Sequence, residues 1–281
     1  MVRKIFFIIS ISFLFFSKSF CKEYKRIICL APSITESLYE LGLESSVKGI
    51  TLHTKKIYKD KEIIGNLLEQ DIEKIISLKP DLIIATKDGN IQKAVDVLRQ
   101  YNYVGFDIYV MESAKNFDDI CTNFLKLAEK LEKSDYARNI VKQAKKSVQK
   151  IYNKITAEKD LKLFWQIGAI PILYTAGNQS FINSYNHYTK TKNLYEDINL
   201  RYLSVDVENV LERNPDIIII VNMGYLGAKE KKYWGKYKVL NAVKSNRVFV
   251  LNEEDLLMLT PLTFAKSVKS LVKIIYEDIQ K

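Results

Sequence analysis

The sequence predicts an α/β protein of two lobes, each built on a mainly parallel β-sheet, with a single long α-helix between them. Short apolar runs alternate with amphipathic stretches along most of the 281 residues, which is typical of βα units. One long amphipathic stretch interrupts the alternation in the middle, and one sequence block occurs in both halves. The length suits two lobes better than one average domain.

Composition and the N-terminal segment indicate an exported globular protein. Hydrophobic residues make up 47% and charged residues 27% of the chain, as in ordinary globular proteins. Residues 1–21 are predicted to be a signal peptide, because two basic residues precede an apolar run of 12 residues at 5–16. That run is shorter than the ~20 residues of a spanning helix. We expect a periplasmic location; the alternatives are an uncleaved anchor or a lipid at Cys21, although residues 18–20 lack the leucine and small residue usual before an acylated cysteine.

The distribution of charge in the mature chain does not favour binding to a nucleic acid. Removal of residues 1–21 takes away three basic and no acidic side chains, so the net charge falls from +10 to +7. The basic residues are spread along the chain, which indicates a solvated basic surface and mildly favours an anionic ligand. Cys29 and Cys121 lie in apolar surroundings and are predicted to be core residues, not a redox or metal pair.

The first predicted lobe spans residues 22–133. Its helix after the first strand begins with Ser33 and Glu36 at capping-box spacing, and Gly42 marks the end of that helix. The predicted strands are residues 26–30, 47–50, 81–85 and 104–110, and the later helices are residues 90–100 and 116–133.

Residues 134–158 are predicted to form the helix that links the lobes. Eight apolar residues from Ala137 to Ile155 follow one another at helical spacing, so they share one face. Lysines occupy the other face, and neither glycine nor proline interrupts the stretch. The alternation then resumes over residues 159–281, so each lobe is expected to be Rossmann-like. The predicted elements of the second lobe are strands 161–167, 216–221 and 247–251 and a closing helix from Pro261 to Ile279.

An internal repeat supports two related halves. The block DIEKIISLKPDLII begins at Asp71, and DVENVLERNPDIII begins at Asp206. Each copy is typical of an acidic N-cap, a short helix, a turn containing proline and a buried strand. The repeat favours pseudo-symmetric lobes over the chance recurrence of a common turn. The matched pairs, each 135 residues apart, are Asp71 and Asp206, Glu73 and Glu208, Pro80 and Pro215, and Asp81 and Asp216.

The sequence contains no motif for catalysis. It has no GxSxG, P-loop, HExxH, CxxC or GxGxxG after a strand. The two histidines, His53 and His187, are far apart in sequence. We therefore expect a binding protein without a cofactor and not an enzyme. The alternatives are a two-lobed metal-chelate enzyme, which would require clustered cysteine or histidine ligands, and a surface protein without a small ligand.

Five stretches, in order, carry a resemblance to a known family: RIICLAPSITESLYELGL, DIEKIISLKPDLIIAT, FWQIGAIPILYTAGNQSFIN, DVENVLERNPDIIII and NRVFV. Through them the chain resembles, from about Arg26 to the C-terminus, the ABC-transporter binding proteins for ferric siderophores, haem and cobalamin. The stretches IGAIPILYTAGNQSFIN and KKYWG are most similar to the cobalamin-binding members. The resemblance implies two lobes on one long helix, a small ligand between them, and delivery to a permease dimer with its ATPase subunits.

The resemblance also gives the two repeated glutamates a role. In such proteins one glutamate on each lobe pairs with arginines of the transporter's membrane subunits, and Glu73 and Glu208 stand at the matching positions. An acid in the first turn of a helix is exposed and stabilised by the helix dipole, and two distant charges orient a docking partner. The alternative is that both acids only complement their helix dipoles.

The ligand is expected between the lobes, at loops that follow the carboxyl ends of strands. For Ser33, a role as helix cap is favoured over a ligand contact. The candidate residues of the first lobe are Pro32, Ser33, His53, Leu67, Leu68, Thr86 and Lys87, and those of the second are Gly168, Ala169, Arg201, Tyr202, Met223, Tyr225, Asp255 and Leu257.

Ligand identity is predicted from the positions that the cobalamin-binding members use. Cobalamin-binding members present tryptophans to the corrin ring, whereas Leu67 or Leu68, Thr86 and Tyr202 occupy the aligned positions here. This departure places iron chelates, haem included, slightly ahead of corrinoids.

A ferric siderophore and haem would require different side chains in the cleft. A ferric siderophore would require cationic and tyrosyl groups such as Lys87, Arg201, Tyr202 and Tyr225. Haem would require an axial ligand, for which His53 is the candidate, although a lone loop histidine is more commonly a surface residue.

Overall fold

The computed structural model describes residues 22–52, 54, 60–67, 69–87, 91–101, 103, 105–156, 160–222 and 227–276. The predicted signal peptide lies outside these residues. No helix among them has both the length and the apolar composition needed to cross a membrane. Of the candidate ligand residues, those outside the described part are His53, Leu68, Met223, Tyr225 and the side chain of Asp255.

The first lobe is built on a five-stranded sheet in which every paired neighbour is parallel, in the order β3-β2-β1-β4-β5. Its strands and helices confirm the predicted elements to within a few residues and add one short edge strand, β3. The elements are β1 (Ile27–Cys29), α1 (Pro32–Glu40), β2 (Val47–Ile50), β3 (Glu62–Ile63), α2 (Ile72–Ser77), β4 (Leu82–Thr86), α3 (Ile91–Gln100), β5 (Asp107–Met111) and α4 (Phe117–Lys130).

The start of α1 differs from the prediction. Its N-cap is Ala31, which has extended dihedrals and makes no side-chain cap bond, and Pro32 occupies the first helical position. Proline fits that position and keeps the residue before it extended, so the helix begins before Ser33. The predicted capping box of Ser33 and Glu36 is therefore wrong. The predicted end is confirmed, because Gly42 has a φ of 68°.

The second lobe follows one long helix, α5 (Ser134–Lys154). That helix ends before the predicted residue 158, because Ile155 has extended dihedrals; the limits of the lobes themselves stay predictions. The remaining elements are β6 (Lys162–Gln166), β7 (Leu173–Ala176), α6 (Ile182–Thr189), β8 (Lys192–Asn193), β9 (Tyr202–Val205), α7 (Val207–Arg213), β10 (Ile217–Asn222), α8 (Ala228–Trp234), α9 (Asn241–Lys244), β11 (Val248–Asn252), α10 (Glu253–Leu256) and α11 (Pro261–Tyr276).

The strands of the second lobe form two sheets. The larger has the order β11-β10-β6-β8 with parallel neighbours, whereas β7 and β9 pair antiparallel as a separate ribbon. The central strand β10 is apolar and buried along nearly its whole length, as expected for a strand covered on both faces. The ribbon was not predicted from the sequence.

The lobes share a hydrophobic core at their junction. The ring of Phe264, in α11, stacks on Phe117 of α4 at 4.4 Å and on Tyr185 of α6 at 4.5 Å between ring centroids. All three side chains are buried, so the first lobe, the second lobe and the closing helix are fixed to one another by apolar packing.

The two cysteines of the described residues are core residues, as predicted. Cys29, in β1, and Cys121, in α4, are both buried and unbonded. Burial raises the pKa of each thiol to about 12, so both stay protonated and unreactive at neutral pH.

Candidate functional site

The carboxyl ends of the first sheet carry the candidate residues of the first lobe. Pro32 and Ser33 begin α1 directly after β1, and both are half-buried. Leu52 follows β2 and is 57% exposed, although the sequence analysis did not select it. Thr86 is the last residue of β4 and not a loop residue, because its strand continues in register opposite Met111 of β5.

A rigid turn holds Leu67 beside this edge. Gly65 has a φ of 115° and a Cβ there would lie 2.2 Å from the Glu69 carbonyl oxygen, so only glycine fits. The side chain of Asn66 accepts a hydrogen bond from the Glu69 amide at 2.9 Å, and the Leu52 amide donates to the Gly65 carbonyl at 2.8 Å. Leu67 itself is half-buried against the core. The turn therefore presents Leu52 and Leu67 on one wall.

The turn after β6 forms the opposite wall. Gln166, which is buried, donates from Nε2 to the Gly168 carbonyl at 3.0 Å and accepts from the Trp234 indole at 2.7 Å. The Gly168 carbonyl is therefore already hydrogen-bonded to a side chain of the protein, whereas Ala169 is exposed. Gly168 and Ala169 thus lie at the predicted edge, positioned by a buried amide.

The ribbon of β7 and β9 provides the most exposed aromatic surface of this wall. Tyr174 pairs with Ser204, and Ala176 pairs with Tyr202. Because side chains alternate along a strand, Tyr174 and Tyr202 lie on the same face as diagonal neighbours. Tyr174 is 50% and Tyr202 41% exposed. Tyr174 was not predicted from the sequence, and Tyr202 was predicted in a loop after a strand; the structure places Tyr202 at the start of β9.

The two cations proposed for an anionic ligand both contact other groups of the protein. The Lys87 ammonium lies 2.6 Å from the carboxylate of Glu112. Arg201, which directly precedes β9 and does not follow a strand as predicted, donates from Nη2 to the Ala114 carbonyl of the first lobe at 3.3 Å. Its guanidinium also lies 5.6 Å from the Tyr202 ring centroid. Arg201 therefore connects the lobes beside the aromatic face.

The residues after β11 are less accessible than the sequence suggested. Leu257 is half-buried against the core, and Met258 is buried. The hydroxyl of Tyr185 donates to the neighbouring Leu256 carbonyl at 2.8 Å, which fixes this segment on the junction core. Met258 is consequently a core residue.

The two copies of the repeat place their glutamates in equivalent positions. Asp71 accepts a hydrogen bond from the Lys74 amide at 2.9 Å, and Asp206 accepts one from the Asn209 amide at 2.7 Å. Each aspartate is thus an N-cap, as predicted. Glu73 and Glu208 lie in the first turns of α2 and α7, and both are exposed.

Two open depressions lie near these features but are not lined by the tyrosine pair. One, of about 550 Å³, is bordered by Leu203, Val205 and Arg213, on the side of the ribbon away from the tyrosines. The other, of about 450 Å³, lies between α4 and α6 beside His187. The described residues contain no group of three or more histidine, cysteine, aspartate or glutamate side chains placed to hold a metal ion. The tyrosine face between the two sheet edges remains the better candidate for a ligand.

Comparison with known proteins identifies the family to which this chain belongs. The family described as periplasmic binding protein matches residues 27–254, and the chain belongs to that family. The sequence resemblance and the two-lobed fold predicted from it are thereby confirmed.

Individual relatives cover nearly the whole chain. An uncharacterized ABC transporter substrate-binding lipoprotein, YvrC, of Bacillus subtilis is 28% identical over 265 residues, which are 92% of this chain and 82% of the relative. A possible iron-binding periplasmic solute-binding protein of Staphylococcus epidermidis has a structure with a TM-score of 0.78 at 27% identity, covering 91% of this chain and 100% of that one. The vitamin B12-binding protein BtuF of Vibrio cholerae has a TM-score of 0.76 at 25% identity, covering 92% and 99%.

Proposed function

We propose that this protein is the substrate-binding component of an ABC importer, which holds a metal chelate or a corrinoid between its lobes and delivers it to a permease dimer with ATPase subunits. The B. subtilis relative is described as an ABC transporter substrate-binding lipoprotein. Of the two structural relatives, the S. epidermidis protein is described as a possible iron-binding protein and the V. cholerae protein as a vitamin B12-binding protein. We infer that it acts outside the cytoplasm and catalyses no reaction.

The observation that carries the ligand class is the exposed tyrosine pair. Tyr174 and Tyr202 are diagonal neighbours on one face of a two-stranded ribbon, and diagonal residues in a sheet lie about 7–8 Å apart, within reach of aromatic side chains. Such a surface suits the face of a flat conjugated ring. The opposite wall contributes the apolar side chain of Leu52, while Lys87 already pairs with Glu112. These contacts favour a tetrapyrrole, either haem or a corrinoid, over a strongly anionic siderophore.

A thermal-shift screen of the mature protein tests the ligand class. The screen includes haem, cobalamin, cobinamide and a panel of ferric siderophores. A ligand that binds only the native state adds about 2.7 kcal/mol of stability at a hundredfold excess over its dissociation constant. We expect a tetrapyrrole to raise the melting temperature. Stabilisation by siderophores alone would contradict the tetrapyrrole assignment, and no stabilisation by any compound would contradict the proposed ligand range.

Variants of the tyrosine pair then locate the site. The double change Tyr174→Ser and Tyr202→Ser should remove the ligand-induced shift. The matched control is Tyr103→Ser, since Tyr103 is 82% exposed and precedes β5 at the other edge of the first sheet. Changes to phenylalanine separate two modes: stacking survives loss of the hydroxyl, whereas phenolate ligation of haem iron is lost and the haem absorption spectrum changes.

The repeated glutamates support docking to a membrane subunit. Both carboxylates are exposed in the first turn of a helix, where they are accessible to arginine side chains of a partner. Two such charges on separate lobes define one orientation of the protein over its partner. Glu73 and Glu208 therefore support a docking role.

Charge reversal tests that role separately from ligand binding. The double change Glu73→Lys and Glu208→Lys should abolish uptake of the ligand in cells, while the dissociation constant of the purified protein is unchanged. Glu129→Lys with Glu212→Lys is the control, because both residues are exposed helix positions outside the first turns. Normal uptake in the test variant would exclude docking through these residues.

A further inference from the structure

Two long helices form the base of the molecule, at the edges of the sheets that lie away from the candidate cleft. The helix α5 begins shortly after Lys130, the last residue of α4, whose ammonium lies 3.6 Å from Asp107 at the start of β5. After the C-terminal end of α5, the chain leads to Lys162, the first residue of β6. Both contacts are at the amino ends of parallel strands, whereas the candidate ligand residues lie at the carboxyl ends. The helix α5 therefore spans the bases of both sheets.

The closing helix α11 follows the same course. Thr260, which precedes it, donates a hydrogen bond to Glu40 at the end of α1. Near its other end, the Ile275 carbonyl accepts a hydrogen bond from Arg247, which precedes β11. The basal face is the exposed surface of α5 and α11.

The basal face carries cations with almost no acidic neighbours in its own helices. Asp135 is the one acidic residue within Ser134–Lys154 or Pro261–Tyr276. Arg138 pairs with Asp135, and Lys145 lies 2.6 Å from Asp118 of α4. The other lysines of the two helices are exposed and form no ion pair with any residue that the structure describes. These lysines are Lys142, Lys146, Lys150 and Lys154 in α5 and Lys266, Lys269 and Lys273 in α11.

Four of these lysines form a regular row. Residues 142, 146, 150 and 154 follow one another at four-residue spacing, so successive charges rise by about 6 Å along the helix axis. Like charges at this spacing destabilise an isolated helix. The row therefore opposes folding of α5 and forms no ion pair within the described part of the protein, so its charges are available to an anion outside the chain.

We propose that the basal face binds a linear polyanion with repeating phosphate groups, such as a phosphodiester polymer of the cell envelope. A row of single charges about 6 Å apart matches a chain of phosphates better than it matches one small anion, and lysine ammoniums bind phosphate as point charges. The choice of a polymer over the lipid surface rests on the proposed docking, because Glu73 and Glu208 would direct the opposite side of the molecule to the membrane.

Binding of fluorescently labelled poly(glycerol phosphate) to the full mature protein tests this proposal. The row variant changes Lys142, Lys146, Lys150 and Lys154 to glutamine. The matched control removes the same number of charges from α8 and the segment after it, at four of the five exposed lysines there. The control changes Lys229, Lys231, Lys232 and Lys238 to glutamine.

The row variant should bind the polymer at least about tenfold more weakly at low salt, since each basic residue near a dense anionic surface adds to the affinity. The control should bind like the unchanged protein, and the affinity of both should fall as salt is added. Glutamine is compatible with a helix, so circular dichroism should show the row variant folded.

Three outcomes would overturn the proposal. Equal weakening in the row variant and the control would show attraction by net charge alone, and no measurable binding at low salt would show that the row is only solvated. Preference for vesicles of phosphatidylglycerol over the polymer would assign the face to a membrane. The Glu73→Lys and Glu208→Lys variant should bind the polymer normally, so failure of the docking proposal would be seen in uptake and not in this measurement.

Discussion

The two copies of the repeat build the same turn with different side chains. In both, an N-capping aspartate begins a short helix, a residue with positive φ precedes a buried proline, and a second aspartate leads into a strand. The residue with positive φ is Lys79, at 48°, in the first lobe and Asn214, at 47°, in the second. The backbone of the unit is thus kept between the lobes, while the groups that stabilise it differ.

The second aspartate performs the same task in each lobe. Asp81 accepts a hydrogen bond from the Arg26 amide at 3.0 Å, and Asp216 accepts one from the Lys162 amide at 3.0 Å. Both amides lie at the start of the strand next to the repeat, β1 or β6. Each aspartate therefore fixes the register between two neighbouring parallel strands.

The groups around the turn show the difference. In the first lobe, Arg26 donates from its guanidinium to the carbonyls of Leu78 and Lys79. In the second lobe, the side chain of Asn214 accepts from the Asn241 amide at 2.9 Å. One turn is stabilised by a cation from a strand and the other by its own asparagine. The comparison shows that a positive-φ position before proline can be stabilised from outside or from within.

The largest effects should come from removing the register-fixing aspartates. Asp216→Ala and Asp81→Ala should each lower the free energy of unfolding by about 2 kcal/mol, because hydrogen bonds to a charged acceptor are lost and backbone amides are left without their partner. Urea unfolding followed by circular dichroism measures the change. Changes to asparagine, which keep an acceptor oxygen, should cost less; equal losses for alanine and asparagine would contradict the assignment to these bonds.

Exchanging the positive-φ residues should have opposite effects in the two lobes. Asn214→Lys should destabilise the protein by about 1–2 kcal/mol, because lysine disfavours the left-handed region and cannot replace the bond to Asn241. Lys79→Asn should stabilise it by several tenths of a kcal/mol, because asparagine adopts that region more readily. The same unfolding measurement compares the pair. Loss of stability in both variants would show that Lys79 has a role beyond its backbone conformation.

Removing the helix caps should have a smaller and nearly equal effect. Asp71→Ala and Asp206→Ala should each cost about 1 kcal/mol, since each leaves one helix amide without its side-chain acceptor. The changes to asparagine are the controls and should cost little. A difference above about 1 kcal/mol between the two alanine variants would contradict the equivalence of the two copies.

The sequence predicted the regular elements because their signals are local. Continuous apolar runs identified β4 and β10, and the spacing from Ala137 to Ile155 identified α5. The repeat also identified both capped helices. These features depend on residues close together in the chain, where periodicity and capping are decisive.

The sequence did not predict features that depend on long-range pairing. Strands β7 and β9 have four residues each, and their register arises only when Tyr174 meets Ser204 across 30 positions of chain. For that reason Tyr174 was missed and Tyr202 was assigned to a loop. Ser33 was read as a cap because the spacing to Glu36 fits, whereas Pro32 moves the helix start by fixing its own φ.

The smallest expected effect concerns acid stability and compares a carboxylate of each lobe. The Tyr24 hydroxyl, 2.5 Å away, lowers the pKa of Asp107, helped by Lys22 and Lys130. In the second lobe, Arg213 lowers the pKa of Asp197. A lowered folded-state pKa contributes stability above the unfolded-state pKa, near 4, and this contribution is lost as the pH falls through the folded-state value.

Asp107→Asn should therefore reduce stability near neutral pH and have a smaller effect near pH 3, which lies below the unfolded-state pKa, so that part of the contribution is already lost from the unchanged protein. Because Asp107 is 40% exposed, solvent screening limits the difference to several tenths of a kcal/mol. Asp197→Asn should show the same direction with a smaller amplitude, since Asp197 is more exposed than Asp107. Urea unfolding at both pH values measures the four differences. A larger loss near pH 3 than near neutrality would contradict the sign of the Asp107 shift, because protonation removes the charge on which the contribution depends.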